Sequence, residues 1–233
     1  SLAGYVATRW LGTGRGAALT GITGGFVSST AVTLSFARRS REYGSARESD
    51  ALACGILLSW AVMFVRVVVE VLIVNASLLG AIALPFAGMG LGAGFIAWRH
   101  YRSAASDAPA VGGEVILRSP FSLTEAVKFA LFFAIVLVAF KVVGRYAPGQ
   151  GQLVLAGLAG LTDVDAVTLS MAKFARDGGS ESTATAAIVI ASLSNTLVKC
   201  GLAAALGSPA LRRRVLVGTG VILAAGAGAL LLR

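Results

Sequence analysis

Charge is what this sequence has least of. Of its 233 residues only 13% are charged, against about a quarter in ordinary soluble domains, while 56% are hydrophobic. A chain so composed cannot cover a water-facing surface, which excludes a soluble globular fold and leaves a polytopic membrane protein. Histidine is nearly absent: His100 is the single one and sits in a basic joint, which argues against a histidine metal site. The two cysteines, Cys54 and Cys200, fall in apolar runs and read as small buried hydrophobes rather than a disulfide. No Gly-x-Ser-x-Gly, Walker-type loop or nucleophile–base set occurs, so an enzyme is not expected. A signal peptide is missing too, because Ser1 to Gly4 offers neither a charged start nor a full apolar core. There is no initiating Met, and Ser1 to Ala7 reads as the tail of a truncated apolar helix.

What charge there is has a pattern. The net charge of +9 comes from cations gathered in the joints between apolar runs: Arg38, Arg39, Arg41 and Arg47; Arg99 and Arg102; Arg212, Arg213 and Arg214. Such clusters set membrane orientation, and nucleic acid is not an expected partner. About 20 apolar residues are needed to cross the hydrocarbon core as a helix. Seven segments qualify: 17–39, 51–74, 78–98, 121–146, 153–175, 182–207 and 215–232. Gly12, Gly14 and Gly16 are expected to open a loop before the first. Gly88, Gly90, Gly92 and Gly94 suit close helix contact in lipid. If all seven span, one side collects Arg38 to Arg47, Arg99, Arg102, Arg118, Lys173 and Arg176, and the other Arg9, Arg15, Arg145 and Arg212 to Arg214. The first side is then the cytoplasmic one.

The chain also repeats itself. Ala31-Val32-Thr33-Leu34-Ser35 recurs letter for letter as Ala166-Val167-Thr168-Leu169-Ser170. Gly16 matches Gly151, Gly25 matches Gly160, Ser59 matches Ser192, and Arg66 matches Lys199. The reading is an all-α integral membrane protein of two homologous repeats. Residues 1–100 form the first, 101–120 a polar linker and 121–233 the second, with Gly-rich, broken or re-entrant motif helices. Repeats with interrupted helices commonly place a transport site at their interface.

Where the first motif carries Ser28 and Thr30, the second carries Asp163 and Asp165. Carboxylates at membrane depth are costly and usually functional. Asp163 and Asp165 are therefore the candidate ligands of a cation or members of a proton relay, and a bound cation is the sole cofactor candidate. Two apart, they share a face only if the turn is distorted. Lys199 would be a counter-charge, and Asn195 an ion ligand or a partner for backbone freed by the glycines. The structural alternative pairs Lys199 with an aspartate and Arg66 with Glu70, one turn away. Ser28, Ser29 and Thr30 complete the candidate set, as helix-to-helix hydrogen bonders or ligands.

Four stretches carry a family resemblance: Gly24 to Ala31, Ser119-Pro120-Phe121-Ser122-Leu123, Gly160 to Ala166, and Ser194-Asn195-Thr196-Leu197-Val198-Lys199. In that order they resemble the membrane family called domain of unknown function 4010, which is often C-terminal to an MgtC/SapB domain. Ser119 stands where the family pattern has Asn, at a helix cap. The resemblance implies a multi-pass protein of a bacterial or archaeal cell (inner) membrane, with upstream helices or an MgtC-like domain as partner. It hints at magnesium or general ion homeostasis and brings no catalytic residues. The expected function is a transporter or channel for a small ion, a cation before others. The alternatives are a regulatory or assembly domain, or an anion transporter using Arg66 and Lys199; a homo-oligomer is open to each.

Overall fold

A computed structural model describes the backbone of residues 2–43, 46–104 and 123–231, with side chains from 15 onward except Tyr43, residues 123–126, Lys128, Phe129 and Leu231. The described residues form helices and no strand. The helices are α1 (Leu2–Tyr43), α2 (Ala46–Val74), α3 (Leu79–Ala104), α4 (Leu123–Tyr146), α5 (Gln150–Gly160), α6 (Asp165–Arg176), α7 (Glu181–Leu206) and α8 (Pro209–Leu231), with a 3-10 turn, Ala76–Leu78, before α3. Among the described residues five stretches are long and apolar enough to cross a membrane: Arg15–Glu42, Ala46–Val74, Ala76–Ala104, Glu181–Leu206 and Pro209–Leu230.

Several expectations change. Gly12, Gly14 and Gly16 lie inside α1, not in a loop, and the first motif runs unbroken through it. The second motif is broken. It splits into α5 and α6, 11 and 12 residues long, each about 16–18 Å and too short to span alone. The Arg212 to Arg214 cluster lies in α8 rather than before it. Residues 101–104 of the expected linker continue α3; the rest of it, Arg118, and Ser119 to Ser122 of the second resembling stretch lie outside the described residues.

The chain divides into two compact units, and α2, α3, α7 and α8 contribute to both. The first takes in α1, α2 to Met63, α3 from Gly88, and Lys199 to Ala225 of α7 and α8. Here α1 and α2 meet through small residues. A Cβ on Gly21 would overlap the Gly55 backbone, and one on Gly25 would stand 2.9 Å from Ser59 Cα. Gly21-x-x-x-Gly25 thus lies along Gly55-x-x-x-Ser59, the close approach that packs helices in lipid. The glycines of α3 divide by helical period. Gly88 and Gly92, four apart on one face, lie against Ala225 and Val221 of α8, whereas Gly90 and Gly94 have open space. Half of the expected glycine stripe therefore packs. Trp60 is fully buried and donates from Nε1 to Thr33 Oγ1 at 2.9 Å. Cys54 and Cys200 are free and buried.

At one end of this unit two cations tie four helices together. Arg41 of α1 donates to Ala205 O and Gly207 O past the end of α7, and Ser208 N donates to Ser40 Oγ. Arg214 of α8 reaches Ala46 O at the start of α2. The Arg212 to Arg214 cluster therefore shares an end with Arg38 to Arg47, contrary to the seven-crossing count. The count fails because segments 121–146 and 153–175 are not both full crossings, and neither is among the five described spans.

The second unit takes in α2 from Phe64, α3 to Ala87, α4 to α6, α7 to Val198 and the end of α8. Helix α4 packs on α5 and α6. Gly149, at φ 75°, adopts the left-handed conformation that lets the chain turn sharply into α5. At the C-terminal end of α2, Arg176 donates to Val74 O, and Ser77 Oγ bonds Glu181 Oε1 at 3.0 Å.

Candidate functional site

The break in the second motif is built from backbone outward. After Gly160, residues 161–164 leave the helix, and α6 begins at Asp165. Asp163 Oδ1 accepts from Ala166 N at 3.0 Å, so its carboxylate, one residue before the N-cap Val164, holds a first-turn amide of α6, where the helix dipole favours negative charge. The Gly160 carbonyl freed by the break accepts from Asn195 Nδ2 at 2.9 Å. Asn195 thus takes its backbone role. Gly160 also fixes the approach of α5 to α7: a Cβ there would sit 2.6 Å from Ala191 Cα.

In the first motif the same offsets recur without charge. Ser28 Oγ accepts from Ala31 N at 3.2 Å, as Asp163 does from Ala166. Thr33 Oγ1 donates to Ser29 O at 2.8 Å, as Thr168 Oγ1 does to Val164 O at 2.9 Å. With a hydroxyl in place of the carboxylate, α1 runs unbroken through Ser28.

The two matching cations make crossed contacts. Arg66, from the first half of the sequence, bonds Asp165 of the second motif. Lys199, from the second half, donates to Ser29 Oγ of the first motif and Met63 Sδ, each at 2.7 Å. Each compact unit therefore holds one motif and the cation from the other half. Lys199 is 1% exposed, and its neighbours include a hydroxyl and a thioether. Thr30, the counterpart of Asp165, is exposed, and Ser28 serves only its own helix.

In the second unit, then, Arg66, Asp165, Glu70 and Asp163 belong together. Glu70 Oε1 stands 4.0 Å from Arg66 Nη2, the outer limit of an ion pair, because the guanidinium turns toward Asp165. Glu70 Oε2 is buried and has no hydrogen-bond partner among the described residues. Arg66 lies eight residues from the end of α2, about 12 Å along the helix, well inside a span. Among the described residues no three His, Cys, Asp or Glu side chains form a group arranged to hold a metal. In the sequence Glu70 stands out only as a partner for Arg66, one turn away. Its spacing was legible; its stranded oxygen depends on where α6 docks.

A second network was missed entirely. Asp50, at the start of α2, accepts from Arg214 Nε at 2.6 Å and Arg214 Nη2 at 3.0 Å, and from Ser103 Oγ at 3.1 Å. His100 Nδ1 lies 2.7 Å from the same carboxylate. These four residues come from three helices, and nothing in their local sequence joins them.

Comparison with known proteins adds three findings. The profile of the family described as "Domain of unknown function (DUF4010)" matches residues 1–207. An "Uncharacterized protein" of Aquifex aeolicus (strain VF5) is 33% identical over 199 residues, covering 83% of this chain and 84% of that protein. No solved structure matches.

Proposed function

The chain belongs to the DUF4010 family, and on that premise we propose that this helical membrane protein is an ion transporter or channel, with a cation as its passenger. The observation that carries the reading is Glu70 Oε2, a buried carboxylate oxygen without a hydrogen-bond partner beside the Arg66–Asp165 pair. A buried acceptor left unsatisfied costs roughly 1–3 kcal/mol, and more when charged. With both acids ionised, Glu70, Asp165 and Arg66 sum to −1, and Asp163 adds a further negative charge. A proton or small cation at Glu70 and Asp165 offsets that excess, and Arg66 is the tethered cation it competes with. Magnesium suits the site only with most of its water retained, since it takes one or two carboxylates in such sites. No catalytic step is part of the reading. The cell (inner) membrane is its setting, with upstream helices or an MgtC-like domain as further partners.

The binding step is testable by thermal unfolding of purified protein in choline chloride with sodium, potassium, magnesium or manganese added. One cation at a hundredfold its Kd should raise the wild-type Tm by about 5 °C or more. Glu70→Gln/Asp165→Asn should remove that rise. No rise with any cation, or an equal rise in the variant, contradicts the assignment.

A regulatory or assembly domain is the second reading. It is favoured by Asp163 and Asn195 both being engaged with backbone. It expects joint apolar replacement of Arg66, Glu70 and Asp165 to leave assembly and cellular effect unchanged. An anion transporter has less support, because Arg66 faces carboxylates.

A further inference from the structure

A cleft of about 430 Å³ opens at the basic end of the first unit, between the end of α3 and the start of α8. Its cations are Arg99, Arg213 and Arg214, and its one carboxylate is Asp50. Asp50 is committed: Arg214 grips it with two nitrogens, while Ser103 and His100 complete its shell. Arg214 is committed in turn, to Asp50, Ala46 O and Ala210 O. Arg99 and Arg213 are exposed, and neither has an ion-pair partner among the described residues. Among the described residues the cleft therefore presents two guanidinium groups without an ion-pair partner beside a neutralised pair, a net charge of +2.

Its depth relative to lipid is marked by its neighbours. Trp98 and Phe95 of α3 are 51% and 56% exposed, and Arg102 lies 5.2 Å from the Trp98 ring centroid. An exposed aromatic pair topped by a cation is the arrangement of a membrane–water interface. Ile96 and Val217 give the cleft an apolar wall beside its charged rim. Basic pockets between membrane helices on the cytoplasmic side bind anionic headgroups, and guanidinium forks match phosphate geometry.

We propose that this cleft is a binding site for a phosphate group, with Arg99 and Arg213 as its ligands and the Asp50–Arg214–His100 network as the scaffold that positions them. The same chemistry is offered by the headgroup of an anionic phospholipid and by free phosphate, and the apolar wall favours the lipid. The site is independent of the cation reading: it uses other residues and requires no transport.

The test uses the full chain in nanodiscs. Native mass spectrometry would compare retention of phosphatidylglycerol and phosphatidylcholine by wild type and Arg99→Gln/Arg213→Gln, with inorganic phosphate as competitor. Preferential retention of phosphatidylglycerol should fall about twenty-fivefold in the variant, each arginine contributing about fivefold. Loss of the lipid to millimolar phosphate, with phosphate retained in its place, would support the site and name the free anion as its source. Equal retention by wild type and variant overturns the proposal. A photoactivatable phosphatidylglycerol on the wild type guards against a misfolded variant. Crosslinks should map to 96–103 and 213–217, and crosslinks confined to other basic segments overturn it as well.

Discussion

Replacing Arg66 by leucine is expected to destabilise the protein by roughly 2–3 kcal/mol, the 3–5 of a fully buried pair reduced for the partial exposure of Arg66 and Asp165. The mechanism is not the loss of one hydrogen bond. Arg66 is the cation that faces both Asp165 and Glu70, so leucine leaves two carboxylates, with Asp163 near, to repel each other. Removing one of them should restore much of the loss. In Arg66→Leu/Asp165→Leu the coupling between the two positions should be about 1–3 kcal/mol. Denaturant unfolding in detergent of the wild type, both single variants and the double variant closes the cycle. Additive losses would mean that the pair is a surface contact of little weight.

A second large effect is expected at Gly160→Leu. Any side chain there meets the Ala191 backbone, which cannot rotate away. Moving α5 off α7 to admit it also breaks the Asn195–Gly160 hydrogen bond. Overpacking costs about 1–3 kcal/mol and the lost bond about 1 more, so the variant should be destabilised by roughly 3 kcal/mol. Gly90→Ala and Gly94→Ala supply the control, since a Cβ at either meets open space. They should be neutral or slightly stabilising, alanine being the better helix former. Thermal unfolding of all three decides whether glycine acts here by position or by composition.

The contrast among those glycines shows what the sequence could tell. The spans 51–74, 78–98 and 182–207 were legible because unbroken apolar runs end at polar joints, and α2, α3 and α7 follow them within a few residues. The glycine stripe of α3 was read as one feature although helical period divides it between two faces. Both motifs were expected to break, yet only the one with a carboxylate just before the helix start does. Ser28 satisfies the same backbone group without leaving the helix, and Thr33 folds its hydroxyl back onto Ser29 O. Charge, not glycine, separates the two copies. Asp165 and Arg66 were both visible as candidates, but their pairing joins residues 99 apart. Lys199 was visible as a counter-charge, with pairing to an aspartate as the structural alternative, and its contacts with Ser29 and Met63 at 2.7 Å join residues 170 and 136 apart. The Asp50 network gave no signal, because its members stand in three separate joints that local pattern cannot bring together.

The measurement that bears most directly on the cation reading is flux from proteoliposomes across a panel of monovalent and divalent cations, wild type beside Asp165→Asn, with circular dichroism to show both folded. Wild type should carry at least one cation faster than empty liposomes, and Asp165→Asn should abolish that flux. Equal flux in the two, or none for any ion from folded wild type, would contradict the account.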